Sequence, residues 1–534
     1  MKRLLILITF SVSVSLLLHS CANIASPNGG AKDEKKPKVT RTFPINNSTK
    51  FRGKKVIYVF NEWIEENKLG EQIIITPRLE NYETVVNKNT LTIKFDTSGL
   101  KKNTTYYFNL REGVKDLTEG NKADSTILVF STGEYLDSIS IRGNVKKALE
   151  NTVEINNTVN LYEVTDTFEI IKSTVVYQTK TETNGNFSIT NIKPGKYYVY
   201  AFKDENNNNK FEPNKEYIGY EKNEIDLNNS LSSIYFNLVK EDHEKTKIKF
   251  IEKKKKSTIE LEFNKEIKDL TVKQLKGNSN LIMPYINGKK VKLYPNTINN
   301  DSTILEIESK DELNNIGKDT VNIVFNYTDT SKCSYSTNPS NSSELEPKQE
   351  IEIQLSKPYK TFKNNINLQL GKTEYKNDEL LKIATIKEDK LFGKILLTPK
   401  DEWNDTLKIT IYPTSFETIN GYFKDTIKLR YVPKSLERYG SIGGKVECSS
   451  DKIFIELTSK EGKTIKQIFG KKDFLFNYLT DGEYKIRVIE DTNENKKWDQ
   501  GDYRTRKLLE PIYHYPDVIK LKSSWEILDV KIAF

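Results

Sequence analysis

The sequence has few of the residues on which metal sites and many enzyme active sites depend. Its 534 residues include three cysteines and three histidines, and no pair of them has the spacing of a zinc site. The motifs Gly-x-Ser-x-Gly and His-Glu-x-x-His, the P-loop and the dinucleotide fingerprint are also absent. We therefore expect a non-catalytic protein, although a hydrolytic carboxylate pair of the glycosidase type can form from residues distant in sequence.

The histidines and cysteines have no catalytic context. His19 lies in an N-terminal leader, His243 in a polar junction and His514 between two tyrosines, where we expect packing. Cys333 and Cys448 fall in different predicted domains, so we expect free thiols rather than a disulfide.

Helix-forming patterns are scarce too. Only two methionines occur, against 28 tyrosines and 24 phenylalanines, a composition that suits half-buried strands. A chain of this length divides into about four or five domains. The formal net charge of +9 arises from 83 basic and 74 acidic residues, which is a mild excess and gives no argument for nucleic-acid binding.

The N-terminus contains a targeting signal. Lys2-Arg3 precede an apolar stretch, Leu4 to Leu18, that is too short to span a bilayer comfortably. Together with Leu18-His19-Ser20-Cys21, this N-terminal stretch resembles a bacterial lipoprotein signal. The resemblance implies that residues 1–20 are removed and that Cys21 is acylated, which anchors the chain to the lipid bilayer of the outer membrane. The alternative is a secretory signal that ends in a chance cysteine.

Residues 21–36 have no apolar period and contain proline, glycine and charges, so we expect a flexible tether. The run Cys21-Ala22-Asn23, followed by Gly29-Gly30 and Pro37, resembles the start of surface lipoproteins of Bacteroidetes-type bacteria. The face of the membrane on which the chain lies stays open.

Residues 37–133 alternate short apolar segments with turns, as in an antiparallel sandwich. The predicted strands are Val56 to Phe60, Gln72 to Thr76, Leu91 to Phe95, Tyr106 to Leu110 and Ile127 to Phe130. Phe43 to Asn46, Val59 to Ile64 and Leu100 to Tyr106 resemble a bacterial Ig-like domain of the kind found in S-layer proteins. Val114 to Gly120 fits that family's turn before the last strand.

Residues 134–240 form a second module. Gly143-Asn144-Val145, Asn184-Gly185 and Pro194-Gly195 follow in an order that resembles the transthyretin-like, carboxypeptidase-regulatory-like β-sandwich. Asn184-Gly185 predicts a tight hairpin turn. Pro194-Gly195 predicts another turn, and in the strand after it two faces alternate: Tyr197, Val199 and Ala201 on one, and Tyr198, Tyr200 and Phe202 on the other.

The remaining sequence repeats both patterns. Asn184 to Glu212 aligns without gaps with Lys471 to Asp499, so residues 438–534 predict a second transthyretin-like sandwich. Ile259 to Ile267 parallels Val56 to Ile64, which predicts a degenerate Ig-like domain within 241–345.

A polar segment, Ser334 to Glu346, is rich in serine, asparagine and proline, and it predicts a linker at the end of 241–345. In 346–437, Phe416 to Gly421 matches Val114 to Gly120, which predicts a further Ig-like domain. The fold class expected is therefore all-β, with Ig-like and transthyretin-like antiparallel sandwiches in tandem.

Two loops place oxygen-bearing side chains at every second position, as a calcium loop does. Their candidate ligands are Asp204, Asn206, Asn208, Glu212 and Glu216 in the first loop, and Asp491, Asn493, Asn495, Asp499 and Asp502 in the second. Neither loop has the glycine expected at position 6, where Asn209 and Lys496 stand, and Asn209 can adopt the left-handed conformation. The alternative is an asparagine-rich turn held by Asx hydrogen bonds alone.

Three functions fit these patterns. The favoured hypothesis is a membrane-anchored rod of β-sandwiches that serves as a structural or interaction scaffold, with Ca²⁺ rigidifying the two loops. A carbohydrate-binding or adhesion protein is the second, suggested by Trp63, Trp403 and Trp498. The third is an enzyme with an unrecognised hydrolytic site. A protein or glycan partner is expected, and its identity stays open.

Overall fold

The structure is a computed structural model that describes residues 32–79, 81–96, 99–153, 155–252, 258–277, 282–295, 299–325, 331–419 and 421–534. It is nearly all β, with 53% of residues in strands and 3% in helices. The predicted class of tandem antiparallel β-sandwiches is confirmed. The helical elements with described bounds are α1 (Leu69–Gln72) and short 3-10 turns at Asn377–Lys382, Lys390–Phe392 and Leu436–Arg438.

The first sandwich contains all five strands predicted for it. Its strands are β1 (Val39–Phe43), β2 (Lys55–Phe60), β3 (Ile64–Glu66), β4 (Ile74–Thr76), β5 (Tyr82–Asn87), β6 (Thr90–Phe95), β7 (Thr105–Asn109), β8 (Val114–Asp116) and β9 (Ile127–Ser131). One sheet has the order β1-β2-β6-β5 and faces β4-β7-β9, while β3 pairs with β8. The apolar side chains of both sheets alternate inward and meet in one core.

The third sandwich keeps the same sheet order. Its strands are β18 (Ile248–Glu252), β19 (Ile259–Phe263), β20 (Asp269–Lys276), β21 (Ile282–Asn287), β22 (Lys290–Pro295), β23 (Asn299–Lys310) and β24 (Ile316–Phe325). The sheet β18-β19-β22-β21 corresponds to β1-β2-β6-β5 of the first sandwich, and β20-β23-β24 faces it.

The fourth sandwich begins earlier than the sequence indicated. Its strands are β25 (Tyr335–Asn338), β26 (Glu344–Leu345), β27 (Ile351–Leu355), β28 (Tyr359–Phe362), β29 (Ile366–Leu370), β30 (Thr373–Lys376), β31 (Ala384–Asp389), β32 (Lys394–Pro399), β33 (Leu407–Ile411), β34 (Phe416–Thr418), β35 (Gly421–Tyr422) and β36 (Ile427–Pro433). Its sheets are β25-β27-β32-β31, β26-β36-β33-β29-β30 and β28-β34-β35.

The predicted linker 334–346 is therefore corrected, since β25 and β26 are strands of this sandwich. Both lie at the edges of their sheets, and β25 is mostly exposed. An exposed edge strand needs few apolar residues, which is why the segment has the composition of a linker.

The second and fifth sandwiches have identical topology. The second contains β10 (Ile139–Lys147), β11 (Thr158–Glu163), β12 (Tyr177–Lys180), β13 (Asn186–Ile192), β14 (Gly195–Phe202), β15 (Ile218–Tyr220), β16 (Ile225–Leu227) and β17 (Leu231–Leu238). The fifth contains β37 (Gly440–Glu447), β38 (Ile453–Ser459), β39 (Thr464–Phe469), β40 (Asp473–Leu479), β41 (Gly482–Glu490), β42 (Ile512–His514), β43 (Ile519–Leu521) and β44 (Glu526–Ala533). The sheets β13-β10-β17 and β12-β11-β14-β15 recur as β40-β37-β44 and β39-β38-β41-β42.

Two glycines mark a close approach of parallel strands in these sandwiches. A Cβ on Gly143 would lie 1.9 Å from the carbonyl oxygen of Ile234, and one on Gly444 would lie 1.9 Å from that of Val530. The motif Gly143-Asn144-Val145 and its counterpart at Gly444 therefore have a steric cause.

The two faces predicted for strand β14 are both buried. Tyr197, Val199 and Ala201 belong to the core between the two sheets. The other face forms a second apolar cluster that includes Tyr200, Phe202 and, from the adjoining loop, Phe211. The loop after β14 is thus anchored by packing as well as by hydrogen bonds.

The sandwiches do not follow one another as a linear rod, because the fifth returns to the second. The Tyr220 hydroxyl oxygen lies 2.7 Å from the carbonyl oxygen of Lys507. Arg487 Nη1 donates to the Leu149 oxygen at 2.8 Å. Lys497 pairs with Glu312 of the third sandwich at 2.9 Å. Three sandwiches therefore meet at one junction, an arrangement that local sequence patterns do not encode.

Candidate metal-binding loops

The two candidate loops leave their sandwiches at the same place. The first joins β14 to β15 and the second joins β41 to β42. Each starts with a buried aspartate, since Asp204 is 5% and Asp491 6% exposed. The structure thus brings the duplicated sequence to equivalent ends of two related sheets.

In the first loop the aspartate and asparagines organise the backbone. Asp204 Oδ1 accepts the N–H of Asn208 at 3.1 Å, and its Oδ2 accepts that of Asn209 at 2.8 Å. Asn206 Oδ1 also accepts the N–H of Asn208, at 3.0 Å. Asn207 and Asn209 take left-handed φ angles of 56° and 59°, which asparagine tolerates better than most residues. The conformation expected for Asn209 is confirmed.

The second loop repeats these contacts atom for atom. Asp491 accepts the N–H groups of Asn495 at 3.0 Å and Lys496 at 2.9 Å. Asn493 Oδ1 accepts the N–H of Asn495 at 3.1 Å. Here Glu494 and Lys496 take φ angles of 59° and 61°. Neither has the asparagine side chain that eases this conformation, so the second loop carries more backbone strain.

The carboxylate at position 9 faces the amides of positions 3 and 5. Glu212 Oε1 accepts from the side-chain amides of Asn206 at 3.1 Å and Asn208 at 3.3 Å. Asp499 likewise accepts from Asn493 at 2.6 Å and Asn495 at 3.2 Å. A half-turn of each amide would present its oxygen to the same centre. The arrangement can therefore close as an Asx-stabilised turn or open onto a hard cation.

A buried glutamate accepts hydrogen bonds from two backbone N–H groups of each loop. Glu216 accepts the N–H groups of Glu205 at 3.0 Å and Glu212 at 2.9 Å. Burial raises the pKa of Glu216, and the nearby carboxylates of Asp204 and Glu212 raise it further, against the effect of the two N–H donors. A cation in the loop would relieve this repulsion.

In the second loop this place belongs to Glu510, not to the predicted Asp502. Glu510 accepts the N–H groups of Thr492 at 2.7 Å and Asp499 at 3.1 Å. Glu216 follows Glu212 by four residues and Glu510 follows Asp499 by eleven, so the second loop is seven residues longer. The sequence signal for Glu510 is its position between two apolar residues, Leu509 and Pro511, whereas a fixed twelve-residue spacing points to Asp502.

Asp502 lies instead in the junction segment, which we define as residues 500–507. Its carboxylate accepts from Arg504 Nε and Nη2, both at 2.8 Å. Burial alone would raise the pKa of Asp502, but the hydrogen bonds from Arg504 hold it below its usual value. Asp502 Oδ1 also lies 3.8 Å from His243 Nε2, in the connection between the second and third sandwiches.

The other predicted functional residues are scattered. Cys21, the signal and most of the tether lie outside the described residues. In the part of the chain that is described, no helix has the length and apolarity to cross a membrane. Cys333 and Cys448 are free thiols, as expected.

The three tryptophans differ in exposure. Trp63 is 58% exposed, whereas Trp403 is 3% exposed and therefore belongs to the core of the fourth sandwich. Trp498 Nε1 donates to the backbone carbonyl oxygen of Glu510 at 3.0 Å, so Trp498 stabilises the second loop. Trp525, at 51% exposure, is a surface tryptophan that sequence reasoning did not single out.

Comparison with known proteins identifies two segments. Residues 33–132 match the family described as Bacterial Ig-like domain, and residues 151–210 match Polysaccharide lyase family 4, domain II. No curated protein matches the chain.

Similar solved structures include an S-layer protein, a pilin subunit and a protein in complex with a mixed-linkage heptasaccharide. They are the S-layer protein SbsC (11% identity, 92% of this chain and 68% of that chain, TM-score 0.16), the Bacillus cereus major pilin subunit BcpA (10%, 74% and 99%, TM-score 0.13), and the Bacteroides ovatus mixed-linkage glucan utilization locus protein SGBP-B in complex with a heptasaccharide (11%, 72% and 91%, TM-score 0.16). TM-scores this low establish no common arrangement of sandwiches. What the family match establishes is that residues 33–132 form a bacterial Ig-like domain.

Proposed function

We propose that this chain is a non-catalytic lipoprotein scaffold of the bacterial outer membrane, which holds a rigid group of β-sandwiches for a protein or glycan partner. Anchoring is assigned to an acylated Cys21, on the strength of the leader sequence. Ca²⁺ is assigned to the loops that begin at Asp204 and Asp491, where it would fix one end of each sandwich.

The observation that supports the scaffold role is that histidine and arginine side chains at the junction make hydrogen bonds between sandwiches. His514 Nε2 lies 2.8 Å from the Ala148 carbonyl oxygen of the second sandwich. Arg487 pairs with the buried Glu456 and also donates to Leu149. Side chains of the kinds used in catalysis therefore hold sandwiches together, as expected of a protein whose function depends on shape.

Calcium binding is supported by the duplication of a whole contact network. A turn needs only one or two Asx hydrogen bonds to be stable. Each of these loops instead combines a buried aspartate, two asparagines, a carboxylate at position 9 and a buried glutamate. Net negative charge at a strand end is what an extracellular calcium site of modest affinity requires.

Anchoring and partner are tested together in the native cell. Wild type and Cys21→Ala are grown with an alkyne-tagged fatty acid, and outer membranes are purified. We expect label and membrane retention for wild type alone, with a protein or glycan that co-purifies from its membranes. A labelled Cys21→Ala chain, or wild-type chain found only in the soluble periplasm, contradicts the anchor. Turnover of a glycan or peptide panel by the purified chain contradicts the non-catalytic role.

Glycan binding is the second candidate, and a cleft at the junction favours it. The cleft has a volume of about 420 Å³ and is lined by Phe168, Tyr198, Tyr200, Tyr503 and two arginines. The Arg506 guanidinium stacks on Tyr198, 3.8 Å from the ring centre. Aromatic rings beside a few polar groups are typical of a ligand pocket.

A glycan array tests this role with a matched pair of variants. Arg506→Gln alters the cleft, whereas Lys520→Gln removes an exposed cation of β43. Binding lost only in Arg506→Gln supports the cleft as the glycan site. No binding by wild type, or equal binding by both variants, excludes it.

A further inference from the structure

At the junction of the second, third and fifth sandwiches, two side chains that are close in sequence meet a third that is more than 250 residues away. The ligand atoms of Glu241, His243 and Asp502 all lie within 4.8 Å of one another, and no other set of three His, Cys, Asp or Glu side chains in the described residues does so. His243 Nε2 is 2.6 Å from Glu241 Oε2 and 3.8 Å from Asp502 Oδ1. We propose that these residues bind a Zn²⁺ ion that staples the sandwiches together.

The charge of Glu241 supports a cation here. Its side chain is 1% exposed, and in the described part of the chain its hydrogen-bond donors besides His243 are the Tyr220 hydroxyl at 2.8 Å and the Tyr503 N–H at 2.9 Å. Neither of these two donors carries a charge. A positive charge does act on Glu241 from Arg504, but Arg504 is itself paired with Asp502. A divalent ion beside His243 would add positive charge directly next to this buried carboxylate.

The surrounding contacts orient the three ligands. Tyr220 fixes the Glu241 oxygen that does not face His243. Arg504 fixes the Asp502 carboxylate through two side-chain N–H groups. Hydrogen bonds of this kind set the direction of metal-binding carboxylates. Glu241 Oε2 and His243 Nε2 face each other, and a metal ion between the two atoms would take one lone pair from each.

The donor set selects zinc over calcium. An imidazole nitrogen with two carboxylates suits Zn²⁺, whereas Ca²⁺ and Mg²⁺ prefer oxygen ligands alone. Zinc bonds of about 2.0–2.2 Å at tetrahedral angles place donor atoms roughly 3.3 Å apart. For zinc to bind, the distance from His243 Nε2 to Glu241 Oε2 must increase and the distance from His243 Nε2 to Asp502 Oδ1 must decrease. Each change is less than about 1 Å.

Such an ion would act across the whole molecule. Glu241 and His243 lie in the connection that follows the second sandwich, and Asp502 lies in the junction segment of the fifth. Zinc would therefore fix the return of the fifth sandwich to the second, independently of the calcium loops.

The test titrates ZnCl₂ into the untagged chain by calorimetry and measures bound zinc by elemental analysis. We expect one Zn²⁺ per chain, protection of the junction segment from proteolysis, and anomalous scattering at the zinc edge between His243 and Glu241. His243→Gln, which retains a donor for Glu241, should weaken binding at least roughly tenfold. His514→Gln is the matched control and should bind as wild type does.

Two further variants separate this site from the loops. Asp204→Ala and Asp491→Ala should abolish calcium effects and leave zinc binding intact. Absence of zinc binding in wild type, or equal zinc affinity in wild type and His243→Gln, overturns the proposal. Loss of zinc binding in the loop variants would assign the ion to the loops and overturn it as well.

Discussion

Glu216 and Glu510 hold the same two backbone groups in two sandwiches, although their distances along the chain from position 9 of the loop differ by seven residues. Each carboxylate accepts the N–H of the residue after the first aspartate and the N–H of position 9. The loop network is thus preserved around an insertion. The inserted segment includes Tyr503 and Lys507, which contact Phe211 and Tyr220 of the second sandwich.

The first prediction concerns the buried carboxylate of Glu510 in the second loop. Glu510→Gln replaces one acceptor oxygen by an N–H₂ group that faces a backbone donor, so we expect a cost of roughly 1–3 kcal/mol. Loss of the charge should also weaken Ca²⁺ binding in the second loop by about tenfold or more. Calorimetry with CaCl₂ and chelator measures the affinity.

Asp502→Asn is the control, because Asp502 lies outside the loop network. It should leave calcium affinity unchanged. If Asp502→Asn weakens calcium binding and Glu510→Gln does not, the ligand assignment returns to the twelve-residue spacing.

The second prediction concerns the glycines beneath the parallel strands. Gly143→Ala puts a methyl group on the Ile234 carbonyl oxygen, and Gly444→Ala puts one on that of Val530. The strands must part, at a cost of about 3 kcal/mol each. Amides of β10 and β17, or of β37 and β44, should exchange hydrogen roughly a hundredfold faster.

Gly70→Ala provides the comparison for this prediction. A Cβ on Gly70, in α1, meets nothing within 4 Å, and alanine favours helix. Amide hydrogen exchange in Gly70→Ala should therefore stay as in wild type. Unchanged exchange in Gly143→Ala would show that the parallel pair tolerates a side chain.

The sequence was informative where a residue's role is decided by its near neighbours. The alternation from Tyr197 to Phe202 predicted which residues share a face, and the two sets pack in two separate clusters. Asn184-Gly185 predicted a turn, and Gly185 has a φ of 76°. Positions 1, 3, 5 and 9 of each loop converge because they belong to one short turn, so their spacing alone determines the geometry.

Residues whose role depends on distant contacts could not be predicted. Glu510 is separated from its loop by an insertion whose length only the fold shows. His243 and Asp502 are more than 250 residues apart, so no ligand spacing links them. Tyr335 and its neighbours have the composition of a linker because one side of an edge strand faces solvent.

The third prediction concerns the docking of the fifth sandwich. The Tyr503 ring packs edge-on against Phe211 of the second sandwich, with centres 5.2 Å apart. Tyr503→Ala removes this contact and should weaken docking by about 2 kcal/mol, because the ring is only half-buried. Small-angle scattering should show a larger radius of gyration. Tyr135→Ala, at a residue 70% exposed, should scatter as wild type does, and equal profiles for both variants contradict the prediction.

The last prediction concerns pH and His514, whose Nε2 donates to the Ala148 carbonyl oxygen across the same interface. Burial lowers the pKa of His514, and the positive charges of Arg487, Lys485 and Lys146 lower it further, although the hydrogen bond to Ala148 opposes them. The docked state therefore favours neutral imidazole. The stabilisation of the docked state by neutral His514 is complete above the ordinary histidine pKa of about 6.5. It is lost as the pH falls toward the lower pKa that His514 has in the docked state.

His514→Gln isolates this effect, because glutamine can donate to Ala148 but does not titrate in this range. Hydrogen exchange at β42 and at the residues around Ala148, followed from pH 7 to pH 5, should accelerate more in wild type than in the variant after correction for intrinsic rates. Carboxylates titrate in both proteins and cancel in the difference. Parallel pH profiles would show that His514 stays neutral or loses its contact without consequence, and the interface would then depend on Arg487 and the junction segment alone.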